Sequence, residues 1–137
     1  MILCSACLLG VKCRYDGRSK PHKKVLELFK KDALVPVCPE QLSGLSTPRE
    51  QSEIKDNRVV SLSGKDLTQH FKNGAEEVLR IARLLGIRKA ILKERSAACG
   101  PRQIYDGTFS NRVIKGEGIT AALLRKNNID VISEEML

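Results

Sequence analysis

The chain has no tryptophan, three phenylalanines and two tyrosines among its 137 residues. So few rings make a poor stacking platform for unpaired bases, which argues against an aromatic-lined groove for single-stranded nucleic acid. No apolar run approaches the roughly 20 residues that span a bilayer. The start, Met1-Ile2-Leu3-Cys4, carries no basic segment leading into an apolar stretch and a cleavage site. A cytoplasmic protein without a membrane partner is therefore expected. Histidine is also scarce: His22 and His70 stand apart from the cysteines. Only Cys4 and Cys7 form a close C-x-x-C pair, whereas structural zinc usually takes two such knuckles.

What is present points to one compact unit. A length of 137 residues with 42% hydrophobic content suits a single globular domain over 1–137. Lysine and arginine outnumber aspartate and glutamate by 24 to 16, for a formal charge of +8. Such a field favours anionic ligands. The basic residues are scattered, however, with Lys23-Lys24 and Lys30-Lys31 as mere pairs, so a solvated basic surface explains them equally well. Five cysteines in a chain without an export signal are expected to stay reduced. A free cysteine is often core filler, so position must separate ligands from filler.

Ile2-Leu3-Cys4, Leu34 to Cys38, Ala90-Ile91-Leu92 and Asp130-Val131-Ile132 are short apolar runs bounded by polar or turn residues, as buried strands are. Helical spacing recurs between them, over Pro21 to Lys31, Asp66 to Gly86 and Ile119 to Asn128. Asp66 with Gln69 three residues on predicts a capping box, and Gly86 predicts the stop. The alternation predicts an α/β fold: one mostly parallel, Rossmann-like sheet with helices on both faces. Ligands of such sheets collect at the carboxyl ends of the strands. Cys7 lies just past the first run, Cys38 closes the second and Cys99 follows the third, so three thiols can converge there.

Several short patterns carry chemistry. Ser5-Ala6-Cys7 runs on to Tyr15-Asp16-Gly17, and Ser96 to Cys99 runs on to Tyr105-Asp106-Gly107. The echo fits repeated Asp-Gly turns, but shared site geometry is the favoured reading. Cys4-x-x-Cys7 allows a thioredoxin-like dithiol, although Leu8-Leu9-Gly10 is a weak helix start. Soft iron favours thiolates drawn from separate loops, and Cys38-Pro39 has the Cys-Pro step seen at iron–sulfur clusters. With only three thiol ligands, one iron stays open as a Lewis acid. Glu40 and Ser96, beside Cys38 and Cys99, are candidate proton-transfer and positioning groups. Gly116-x-Gly118-x-x-Ala121 resembles a dinucleotide fingerprint but lacks the following βαβ unit; its glycines can still hold one phosphate at a helix N-terminus.

Together, Ser5 to Gly10, Cys13 to Gly17, Val37 to Glu40, Thr47-Pro48-Arg49, Ser96 to Gly100 and Tyr105-Asp106-Gly107 resemble the thiouracil desulfidase family across nearly the whole chain. The resemblance implies a 4Fe-4S cluster on Cys7, Cys38 and Cys99 with one open iron. It further implies non-redox conversion of a thiolated uracil (base, nucleoside or nucleotide) to uracil and hydrosulfide, with Glu40 and Ser96 catalytic. Ser5, Arg14, Lys93 and Tyr105 are then expected to contact substrate, with Arg102 as a further anion contact. Cys4 and Cys13 remain alternatives to Cys7, and Cys13 is expected near the site without ligating. The family commonly has Ser-Pro-Ser-Cys-Gly where this chain has Ser96-Ala97-Ala98-Cys99-Gly100, which predicts a more mobile loop. Relatives acting on thiolated RNA carry an added domain that this chain has no room for, so RNA is a possible but less favoured partner. The competing reading is a metal-binding or RNA-binding module without catalysis.

Overall fold

Strands whose residues are apolar on both sides need cover on both sides, and the chain supplies it. The computed structural model describes residues 1–137. In chain order the elements are β1 (Ile2–Ser5), α1 (Lys23–Phe29), β2 (Leu34–Val37), α2 (Pro39–Leu42), β3 (Ser52–Lys55), β4 (Arg58–Ser61), α3 (Thr68–Leu85), β5 (Lys89–Leu92), β6 (Gln103–Tyr105), β7 (Val113–Lys115), α4 (Ile119–Lys126) and β8 (Asp130–Ser133). Tight 3-10 turns occupy Ala6–Leu9 and Glu134–Met136.

β2, β1, β5 and β8 form one sheet in that order, every pairing parallel. Successive side chains point to opposite faces. Leu3, Val37, Ala90, Leu92 and Val131 share one apolar cluster with Phe71, Val78 and Ala82 of α3 and with Ala121 and Leu124 of α4. Ile2, Cys4, Leu34 and Ile91 share the other with Val25 of α1 and with Leu8. Each fully buried Val, Leu, Ile or Phe side chain among them contributes about 1.5–3 kcal/mol relative to exposure. The expected α/β sheet with helices on both faces is therefore the observed one.

Details differ at element ends. No capping box forms on α3: Asp66 Oδ1 accepts the Thr68 N–H at 3.0 Å and Oδ2 pairs with Arg58 at 2.6 Å, while the Gln69 amide donates to Asn73. Gly86 does end that helix, in the left-handed region at φ 66°. α1 and α4 are shorter than their apolar spacing suggests, ending at Phe29 and Lys126.

Two antiparallel hairpins, β3-β4 and β6-β7, are additions that hydropathy did not announce. Asp56 and Asn57 link β3 to β4 with φ values of 50° and 62°. Both central residues are left-handed, the type I′ geometry that hairpins favour. The usual Asn-Gly or Asp-Gly signal is absent, and the flanking strands are mostly polar.

Candidate active site

From β1 the chain crosses to β2 on one side and later to β5 on the other. Ligands of such sheets bind in the crevice opened at the carboxyl ends by that reversal. The Ser5 hydroxyl closes the base of this crevice by accepting the Lys93 N–H at 2.9 Å, which ties the ends of β1 and β5 together.

Each cysteine loop has its own brace. Cys7 sits in the 3-10 turn after β1, and its carbonyl accepts the Lys20 N–H at 2.9 Å. Cys38 follows β2 and caps α2, with Pro39 at the first helical position, where its missing N–H costs nothing. Cys99 is held by Ser96, whose Oγ accepts the N–H groups of Ala98 and Cys99 at 3.2 and 3.0 Å. The carbonyls of Ala97 and Ala98 in turn accept the N–H groups of Ile119 and Thr120 from α4, at 2.9 and 2.8 Å. These bonds tie down the loop that lacks the family's proline. They also overturn the phosphate turn expected at Gly118, because those first-turn donors are spent on the cysteine loop.

A cavity of about 400 Å³ lies where these loops meet, and Cys7, Cys13, Cys38, Cys99, Glu40 and Ser96 all line it. Ser5, Arg14, Lys93 and Tyr105 line it as well. Cys4 does not: it is a buried core residue whose thiol burial pushes up to about 12. Arg102 also lies elsewhere, half-exposed and paired with Glu94 at 3.0 Å, so it is not an anion contact of this cavity. Both Tyr-Asp-Gly segments are Asx turns, Asp16 and Asp106 each accepting the N–H two residues on at 3.0 Å. Both place their tyrosine on the cavity wall.

The thiols differ electrostatically. Hydrogen bonding from Cys13 lowers Cys38 to about 6 against the opposing effect of burial, helped by the Gln41 N–H and by Arg49. The same thiol lowers Cys7, with burial opposing and Lys93 assisting. Cys99 is pushed up by burial, partly countered by a hydrogen bond from Ser5. Burial lowers Lys93, while Glu134 and Cys7 work the other way. No three His, Cys, Asp or Glu side chains are grouped around one point as a single ion needs. Three thiols around a cavity are instead a donor set suited to an iron–sulfur cluster.

A family model for 2-thiouracil desulfurase matches residues 2–136. The chain belongs to that family. Among solved structures, this desulfurase-family chain is similar to the 4Fe-4S-dependent thiouracil desulfidase TudS, with a TM-score of 0.93, 44% identity, and coverage of 99% of this chain and 91% of the other. It is also 42% identical to the uncharacterized protein YbbK of Bacillus subtilis (strain 168), over 100% of this chain and 97% of that one.

Sequence reasoning gave no role to Arg49, the best-connected polar residue of this desulfurase-family site. Its side chain is 7% exposed and its Nε donates to Glu40 Oε1 at 3.2 Å. Nη1 reaches the Ser46 carbonyl and Thr47 Oγ1, and Nη2 reaches the Cys13 carbonyl at 2.8 Å. The Thr47-Pro48-Arg49 motif was its only trace in the sequence. Glu53 of β3 was missed too; it is buried and accepts the N–H groups of Gly107 and Phe109 at 3.0 and 3.1 Å. It thereby fixes the second Tyr-Asp-Gly turn, and no pattern marked it because its strand was not foreseen.

Proposed function

We propose that this chain removes sulfur from a thiolated uracil, holding a 4Fe-4S cluster on Cys7, Cys38 and Cys99 with one iron free of protein ligands. The supporting observation is the convergence of three thiols, Glu40 and Ser96 on one cavity in a chain so similar to a 4Fe-4S-dependent desulfidase. When bound, the cluster supplies a soft Lewis acid suited to a thiocarbonyl sulfur.

The chain's own groups serve the rest of the exchange, in which C=S and water become C=O and hydrogen sulfide. Glu40 takes the proton from the attacking water, and Arg49 fixes the carboxylate's direction. Ser96 Oγ already accepts two N–H groups, which leaves its hydroxyl hydrogen to orient water or the ring oxygen. Lys93 and Arg14 place positive charge on the cavity wall where hydrosulfide forms. Tyr15 and Tyr105 supply flat walls for a pyrimidine. A free base, nucleoside or nucleotide is the substrate class, and the protein acts in the cytoplasm.

Anaerobic purification with iron and sulfide counting, and an absorbance assay on 4-thiouracil in the same sample, tests this reading. About four irons per chain with formation of uracil is the expected result. Conversion by metal-free protein, or zinc in place of iron, would overturn it.

A further inference from the structure

One carboxylate of the cavity wall has no part in the chemistry above. Glu134 opens the turn that follows β8, is 5% exposed and lines the cavity. Its Oε1 accepts the Glu94 N–H at 2.8 Å and the Ser133 hydroxyl at 3.1 Å. Glu40 and Glu135 on the same wall each pair with an arginine, whereas Glu134 has no ion-pair partner. Its Oε2 has no hydrogen-bond partner in the protein. Nor is that atom closed off, since His22 Nδ1 and Thr120 Oγ1 are the only buried side-chain nitrogen or oxygen atoms left without a partner. Oε2 therefore opens onto the cavity. It does so at the thiol end: Lys93 donates from Nζ to the Glu94 carbonyl at 3.1 Å and from its N–H to Ser5, two residues before Cys7.

We propose that Glu134 selects the base, its Oε2 accepting the ring N–H that lies between the thiocarbonyl and the carbonyl of a thiolated uracil. The inference rests on the desulfurase reading above and adds how a uracil ring is told from a cytosine ring. A carboxylate can only accept, so it needs a donor from the ligand. Thiouracil supplies one at N3, whether its sulfur stands at C2 or at C4, and so does the product uracil. Cytosine has nearly the same shape but carries a lone pair at that nitrogen. Two acceptors would then face each other, and the buried carboxylate would lose its partner.

The test measures how strongly uracil and cytosine inhibit 4-thiouracil conversion by the anaerobically reconstituted holoprotein and by its Glu134→Gln variant, with iron counted in both. Because two donors hold Oε1, glutamine keeps its carbonyl oxygen there and turns its NH2 to the cavity, so a donor replaces the acceptor. The parent is expected to be inhibited at least about tenfold more strongly by uracil than by cytosine. In the variant kcat/KM on 4-thiouracil should fall about 10–100-fold, and the preference for uracil should vanish or reverse. A role in folding alone would weaken both bases together and leave their ratio at the parent's value, which would overturn the proposal. Should the variant not fold, the parent still decides, since equal inhibition by the two bases would overturn it. A parent inert toward thiouracil sinks the desulfurase reading, whereas an active parent whose preference is unmoved by Glu134→Gln sinks this proposal alone.

Discussion

Gly74 of α3 lies so close to Pro39 that a Cβ built on it would stand 2.1 Å from the Pro39 carbonyl oxygen. A glycine inside a helix costs roughly 1 kcal/mol relative to alanine, so the position needs a reason. The reason is the loop it seats: α3 packs directly under Pro39, between Cys38 and Glu40. Gly74→Ala is therefore expected to keep its helix content yet lose about 1–3 kcal/mol of stability and bind less iron. Circular dichroism with thermal unfolding and an iron count checks this, and wild-type iron content would contradict it.

Glu40 and Arg49 should fail in different ways. Glu40→Gln keeps the shape of the side chain but cannot accept a proton, so kcat should fall about 10²–10⁴-fold with the iron count unchanged. Arg49→Lys offers one ammonium in place of a planar fork that serves Glu40, Ser46, Thr47 and Cys13 together. It should therefore reproduce most of the activity loss of Arg49→Ala instead of rescuing it. Steady-state kinetics on 4-thiouracil decides; full rescue by lysine would reduce Arg49 to a point charge.

Acid stability should depend on Glu94. Burial alone raises this carboxyl, but N–H groups of Arg102 and Gln103, with Ser133 and the Arg102 side chain, outweigh burial and hold it below the usual range. A depressed carboxylate contributes stability above its unfolded pKa of about 4.3, and that contribution fades as pH falls through the lower folded value. Glu94→Gln should accordingly cost stability at pH 7 and flatten the decline below about pH 4. Denaturant unfolding across that window measures it, and parallel curves for both proteins would contradict the assignment.

Cys4 is expected to be dispensable for the cofactor. Its thiol is fully buried in the apolar cluster behind the cavity. Cys4→Ala should retain the full iron count with a stability loss of about 1 kcal/mol, whereas Cys7→Ala should lose iron. Iron loss from Cys4→Ala would reassign the ligand set.

The sheet was legible because β1, β2, β5 and β8 are short apolar runs bounded by polar or turn residues, and α3 because Phe71, Val78 and Ala82 recur on one face. The hairpins were not, because Ser52 to Lys55 mixes polar and apolar residues and turns through Asp56-Asn57 without glycine. That omission carried Glu53 away with it. Arg49 stayed unassigned because its importance is a matter of partners 9 and 36 positions away, and no local pattern encodes those.

By itself the sequence determined which thiols stand at strand ends, because short apolar runs bounded by polar or turn residues mark the strands locally. It determined the family as well, through motifs spread along the whole chain. Only the tertiary structure decided between Cys4 and Cys7 at the cavity. Successive residues of β1 alternate between faces, so Cys4 points into the core under α1 while Cys7, in the turn beyond the strand, reaches the cavity. Likewise only the fold turned Gly118 from an apparent phosphate turn into the seat of Cys99, since a backbone N–H cannot serve both the Ala98 carbonyl and an anion.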